Sequence, residues 1–395
     1  MTTLFYIANI RFPTERAHGI QVASMCSALA RQGATVTLLV PDRKTFADDP
    51  FQYYGIERNF SIEKISVPDI VELGTIGFLI ESFSFAWRAV RRVQGENNTP
   101  PQSSPLKRGG VRPILYTREE WPLFFLPDQS VFYEAHQLRN SLFYRRLIAR
   151  AKGIVSISQG LKDALVLAGY PKGNILVAHD GYDEKQFAER ISKSEARIRL
   201  GLPQEKKIAM YIGGLESWKG AETLCKAAKS LAENDILTVI LGGMDEEVKR
   251  FQLQYPDVRF LGARPYRELH MNQQAADVLV VPNSGASELG GRFTSPLKLF
   301  AHMVSGVALV VADTQSLCEV VEPTQILKFV SDNPESLADT IKRALSPEWL
   351  ANWVSKEAAE VKKRAEEFTL DKSQVGFERL PRFLSFFKND VAAPS

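Results

Sequence analysis

The sequence predicts an α/β protein with two doubly wound parallel sheets, one in each half of the chain. Short apolar runs bounded by turn residues alternate with helical patterns for most of the length. The runs are continuously apolar rather than alternating, as strands covered on both faces must be. The scheme occurs twice within 395 residues, a length that exceeds one ordinary core and suits two domains.

The first set of strands is "LFYIANI", "TVTLLV", "FSIEKISV", "ILYT", "SVFYEAH", "GIVSIS" and "NILVAH". Between the first two lies "GIQVASMCSALARQG", whose Val22, Cys26 and Leu29 fall at i, i+4 and i+7 before Gly33 ends the helix. The second set is "KIAMYIGG", "ILTVILGG", "VRFLGA", "VLVVP", "ALVVAD" and "ILKFV". The polar stretch "DEKQFAERISKSEARIRLGLPQEKK" separates them and places the division near 190/191, giving domains 1–190 and 191–370. After Pro334 the pattern is helical, ending in the aromatic-rich "KSQVGFERLPRFLSFF". "QGENNTPPQSSPLKRGGVRP" reads as a surface loop.

Composition narrows the function classes. A 45% hydrophobic and 24% charged chain with net charge +3 is an ordinary globular protein without a nucleic-acid footprint. Cys26, Cys225 and Cys318 lie far apart without metal spacing and read as small core residues of a reducing compartment. The start "MTTLFYIANI" shows no basic n-region, so a cytoplasmic location is expected. "IGFLIESFSFAWRAV" is too short and too charged to span a bilayer. "FAWRAVRR" and "RNSLFYRRLIARAK" mix aromatics with arginines, as interfacial helices do, but also fit sheet-covering helices with basic edges.

Ligands of paired doubly wound domains bind at the carboxyl ends of the strands, and five segments fall there. In "RFPTERAHGIQ", Gly19 at a helix start would let a phosphate approach backbone N–H groups, or simply make a turn. His136 ends the strand "SVFYEAH" and is either a core histidine or a group facing the ligand. "AHDGYDEKQF" carries Asp180 and Asp183 as caps at a hinge. "YIGGLESWKGAETL" sets Lys219 at the positive end of a helix, which costs a few tenths of a kcal/mol unless an anion joins it. In "FTSPLKLFAHMVSG", Ser295 is a natural N-cap, Pro296 a first helical residue, and Lys298 again a cation in the first turn. Two such lysines in equivalent strand–helix contexts read as a diphosphate clamp.

In order, these segments resemble the family 4 glycosyltransferases, of the two-Rossmann architecture called GT-B. "YIGGLESWKGAETL" is similar to that family's glycine turn, lysine–glycine pair and helix. "SPLKLFAHMVSGVALVVAD" is similar to its donor-site helix and following strand, and "SISQGLKDAL…HDGYDEKQF" to its interdomain segment. The resemblance runs from about Tyr6 to Asp313. It implies two Rossmann-like domains facing a central cleft, with a C-terminal helix (371–390) crossing back to the first. It also implies a retaining, metal-independent transfer with no cofactor, from a nucleotide-sugar donor to a glycan or lipid-linked acceptor, in surface or extracellular polysaccharide assembly. Lys219 and Lys298 would hold the donor phosphates, helped by Gly19, Gly213, Gly214, Gly220 and Ser295, and His136 would contact the transferred sugar. Lysines and helix ends act there by stabilising charge on the leaving phosphate.

The chain departs from that pattern at Gly214, where the family commonly has arginine, and at Phe293 and Ala301, where it has a pair of glutamates with seven residues between them. The second glutamate normally holds the nucleotide ribose. Glu288 and Arg292 in the preceding loop are alternative donor-loop contacts, and restoring the acid, Ala301→Glu, is expected to tighten nucleotide binding. A non-catalytic member acting as a binding or assembly subunit is the other reading these departures support. A nicotinamide-dependent dehydrogenase would need a complete dinucleotide fingerprint, which is absent from the sequence.

Overall fold

The computed structural model describes residues 2–45, 49–68, 70, 73–98, 113–126, 131–321 and 326–369. Its strands are β1 Thr2–Ile7, β2 Ala34–Pro41, β3 Ser61–Ile65, β4 Ile114–Thr117, β5 Val131–Ala135, β6 Gly153–Ser156 and β7 Ile175–Val177, then β8 Lys207–Ile212, β9 Ile236–Leu241, β10 Val258–Phe260, β11 Val278–Val281, β12 Ala308–Ala312 and β13 Leu327–Phe329. Each lies on one of the expected apolar runs. The first seven form one sheet in the order β3-β2-β1-β4-β5-β6-β7, and the others a second in the order β10-β9-β8-β11-β12-β13. Every strand pair is parallel, for example Leu4 beside Val36 and Ile114, and Met210 beside Val239 and Leu279.

In both sheets the strand order reverses beside the first strand, between β1 and β4 and between β8 and β11. Such a reversal marks, beyond the carboxyl ends of the two neighbouring strands, the usual ligand position of doubly wound sheets.

The compact units divide at Ala178/His179 rather than 190/191; Ser158–Gly160 also belong to the second unit. The polar stretch expected as a linker contains the helix Lys193–Leu200, capped by Ser192 and stopped by left-handed Gly201. Arg197 on this helix is buried. Its guanidinium donates to the Ala275 carbonyl at 3.0 Å and to Asp277 Oδ2 at 2.7 Å. Asp277 also accepts from Lys193 Nζ and from the Ile208 backbone N–H, each at 2.7 Å. One carboxylate thus binds the "linker" helix to β8 and β11, which is why the segment belongs to the second unit.

The expected loop 94–113 begins inside a long helix, Gly74–Asn98, and its residues 99–112 lie outside the described residues, as does the C-terminal helix expected at 371–390. The cysteines are free; Cys26 and Cys225 are buried as expected, whereas Cys318 is half-buried and donates to Asp313. Among the described residues no helix is long and apolar enough to cross a membrane.

Candidate active site

In the second unit the turn after β8 is shaped by glycines. Gly213 has φ 152°, and a β-carbon there would lie 2.8 Å from the Tyr211 hydroxyl. Gly220 is left-handed, and a β-carbon there would lie 1.8 Å from the Pro282 carbonyl oxygen. Only glycine lets the Ser217–Lys219 turn close onto the loop after β11 before the helix Ala221–Ala232 begins. The Ser284 N–H donating to the Trp218 carbonyl at 3.0 Å seals the same contact. The expected phosphate loop therefore lies at the β8/β11 switch point.

Both lysines reach this turn. Lys298 lies in the first turn of the helix Leu297–Met303, as expected, and its Nζ donates to the Tyr211 hydroxyl at 3.0 Å over the Tyr211 ring. That hydroxyl donates to the Gly214 carbonyl at 2.6 Å. Burial, then the charge of Lys219, hold the Lys298 ammonium well below the usual lysine range, with Glu216 opposing them. Among the described residues no carboxylate is within ion-pairing distance of Lys298. Lys219 differs from expectation. It ends a 3-10 turn before the helix, with Gly220 as N-cap, and its ammonium is already paired with Glu216 at 2.8 Å and lies 5.3 Å from the Trp218 ring centre. Its awkward charge thus has an internal partner, at the i, i+3 spacing of "ESWK".

Three further expectations change. Ser295 does not cap the helix Leu297–Met303; Pro296 is the N-cap residue, and the Ser295 hydroxyl accepts from the Asp180 N–H at 2.7 Å. Glu288 and Arg292 pair with each other at 3.3 Å on the exposed surface of a π-helical turn that ends at buried Phe293. Ala301 is fully buried in the apolar core. Ala301→Glu would drive a carboxylate into packed side chains, so the expected gain in nucleotide affinity does not follow. Asp183 caps the turn Glu184–Phe187, as its sequence position suggested.

In the first unit, Gly19 lies on the third residue of the helix Ala17–Arg31. A β-carbon there would meet the Tyr54 hydroxyl at 2.3 Å and the Thr14 methyl at 2.4 Å, so close packing alone requires glycine. His136 follows β5, its Nε2 2.7 Å from Glu134 Oε1. A carboxylate only accepts, so Nε2 carries the hydrogen of this contact. Glu134 is fully buried within β5 and also accepts from Gln21 Nε2 at 2.7 Å and from the Tyr116 hydroxyl. This clamp fixes the imidazole at the carboxyl end of the sheet. Nearby, burial and then the charge of Arg118 pull His18 down to about 4. After β4, burial pushes the Glu119 carboxyl up to about 7, placing its proton exchange near neutrality.

Glu134 and Glu216 were missed in the sequence although both left a signal. One is an acid inside an otherwise apolar strand, the other an acid three residues before the lysine.

Residues 192–368 match the family model described as "Glycosyl transferases group 1". The D-inositol 3-phosphate glycosyltransferase of Corynebacterium aurimucosum is 28% identical over 178 residues, 40% of this chain and 42% of that protein. The chain thus spans less than half the length of the first curated relatives it matches. The structure of Anabaena HepE in complex with UDP and glucose superposes with TM-score 0.68 at 16% identity, covering 98% of this chain and 100% of that one. Sucrose-phosphate synthase from Thermosynechococcus elongatus superposes with TM-score 0.72 at 16% identity, with coverage of 98% and 100%. At such identities the superpositions show the fold alone. Residues 192–368, most of the second unit, thus match the group 1 glycosyl transferases, in a chain of GT-B fold.

Proposed function

We propose that the protein is a retaining glycosyltransferase that moves a sugar from a nucleotide-sugar donor to a glycan or lipid-linked acceptor in surface or extracellular polysaccharide assembly. The observation that carries this reading is Lys298, a partly enclosed cation without a paired carboxylate among the described residues, held by Tyr211 over a glycine turn at the switch point of the second sheet. An anion there gains a charge-assisted hydrogen bond from a partly enclosed ammonium. As the donor bond breaks, the same ammonium and Lys219 stabilise negative charge on the departing diphosphate. The HepE structures in complex with UDP and with UDP-glucose support a nucleotide sugar as the donor class.

The first unit takes the acceptor side of this reading. His136, fixed through Glu134, meets the transferred sugar. The reaction uses neither a metal nor a cofactor. The test is release of nucleoside diphosphate from a panel of UDP-, GDP- and ADP-sugars. One donor should turn over, with product of retained anomeric configuration by NMR. Diphosphate binding without release from any donor would favour the non-catalytic binding subunit.

We place a peripheral membrane contact on the first unit. The helix Gly74–Asn98 exposes Ile76, Leu79, Ile80, Phe83 and Trp87. Phe83 packs edge-on against Trp121 at 5.6 Å, which in turn lies 5.8 Å from exposed Phe143. Arg91 lies over Trp87 at 4.7 Å, and Arg139 over Tyr144 at 5.4 Å. An apolar face with arginines among its rings suits an anionic lipid surface. Flotation with anionic vesicles should recover the protein at low salt and lose it at high salt. Equal recovery with neutral vesicles, or none, would remove this contact.

A further inference from the structure

Glu216 has no role in the reading above, yet it is the residue most intimately placed on the lysine pair. It opens the Ser217–Lys219 turn, and the Lys219 N–H donates to its carbonyl at 2.9 Å. This fixes both side chains on one face, and the ammonium lies 2.9 Å from Oε1 and 2.8 Å from Oε2. The two partners are unequally exposed: the Glu216 side chain is 51% exposed and that of Lys219 17%. The carboxylate can therefore swing into water while the ammonium stays at the turn.

Gly214 shows how closely this pair covers the turn. A β-carbon there would lie 2.2 Å from Glu216 Oε2 and 2.9 Å from Lys219 Nζ, while a β-carbon on Gly213 would lie 3.4 Å from Lys298 Nζ. Both ammoniums thus stand over adjacent glycines, and the Glu216 carboxylate sits on that of Lys219. The charges also feel one another. Burial disfavours the Glu216 carboxylate, but Lys219 and Lys298 outweigh it and draw its proton affinity below the usual range.

We propose that Glu216 is a resident counter-anion: its carboxylate holds the Lys219 ammonium, and an incoming diphosphate binds by taking its place. This rests on the nucleotide-sugar reading for the identity of the ligand, but the exchange of one anion for another is a property of the turn itself. A half-exposed ion pair is weak, so exchange is feasible. The carboxylate still repels a dianion a few ångströms away until it moves. Glu216 then sets how tightly the site holds diphosphate, and with it how readily the leaving group departs.

The experiment is calorimetric titration of the natural protein, Glu216→Gln, Lys219→Ala and the double variant with inorganic pyrophosphate, UDP, GDP, ADP and uridine in weakly acidic buffer. Glu216→Gln should bind pyrophosphate and UDP roughly tenfold tighter, leave uridine unchanged, and lose its advantage when Lys219 is alanine. Equal or weaker pyrophosphate binding by Glu216→Gln overturns the proposal, as does a gain that survives Lys219→Ala. Pyrophosphate separates the two readings. If the gain with pyrophosphate appears but neither UDP, GDP nor ADP binds better than pyrophosphate, the counter-anion stands and the nucleotide assignment falls.

Discussion

Lys298→Ala is expected to weaken nucleoside diphosphate binding by about 1.5–3 kcal/mol, roughly ten- to more than a hundredfold, the range for a hydrogen bond to a charged group. Nucleoside binding should not change. The Tyr211 hydroxyl and glycine turn that hold Lys298 belong to the β8 end, so the loss should fall on the phosphates and not on the base. The pH dependence follows from the direction of the shift. Burial and Lys219 hold the Lys298 proton affinity well below the ordinary lysine range, and a bound diphosphate raises it. Binding therefore takes up a proton, and affinity should fall as pH rises toward the ordinary lysine value of about 10.4. Calorimetry in buffers of different ionisation enthalpy measures both effects. Equal losses for nucleoside and diphosphate would remove Lys298 from the phosphate site.

Asp277→Ala is expected to destabilise the second unit by about 3–5 kcal/mol, because it leaves the buried Arg197 guanidinium without its carboxylate. The Ile208 N–H loses its acceptor as well. Burial alone would raise the Asp277 value, but the bonds from Lys193 and Ile208 and the charges of Lys193 and Arg197 lower it. A carboxylate whose folded value is depressed contributes its stability above the unfolded value, about 3.9, and loses it as pH falls further. Urea unfolding of both proteins near neutral pH and in acid tests this. The difference should be large near neutrality and shrink in acid; a loss below about 1 kcal/mol at neutral pH would mean that Arg197 finds another partner.

The same residues explain what could be read in advance. Most strands were legible because a parallel strand covered on both faces leaves an unbroken apolar run, as in "VLVV" and "ALVVA"; the edge strand β3, "SIEKI", is half-polar and mostly uncovered. The alternation of strands and helices put the Lys219 and Lys298 segments in strand-to-helix connections, where the structure has them after β8 and after β11. The helix Lys193–Leu200 was not legible as part of the second unit. Its attachment is made by Arg197, Lys193 and Asp277, and a charged stretch that docks through buried ion pairs has the composition of a linker. Ser295 followed local capping rules until a distant backbone N–H, that of Asp180, claimed its hydroxyl. Ala301 was placed on the correct helix, but a periodicity does not say how deeply one face is covered. Lys219 was judged by its helix end alone, although its partner stood three residues earlier.

The most direct measurement is titration of the natural protein with a nucleoside, its monophosphate and its diphosphate at increasing salt. Phosphate recognition by Lys219 and Lys298 predicts that affinity rises at each added phosphate and that the increments shrink as salt screens the lysines. Equal affinity for all three ligands, insensitive to salt, would contradict it.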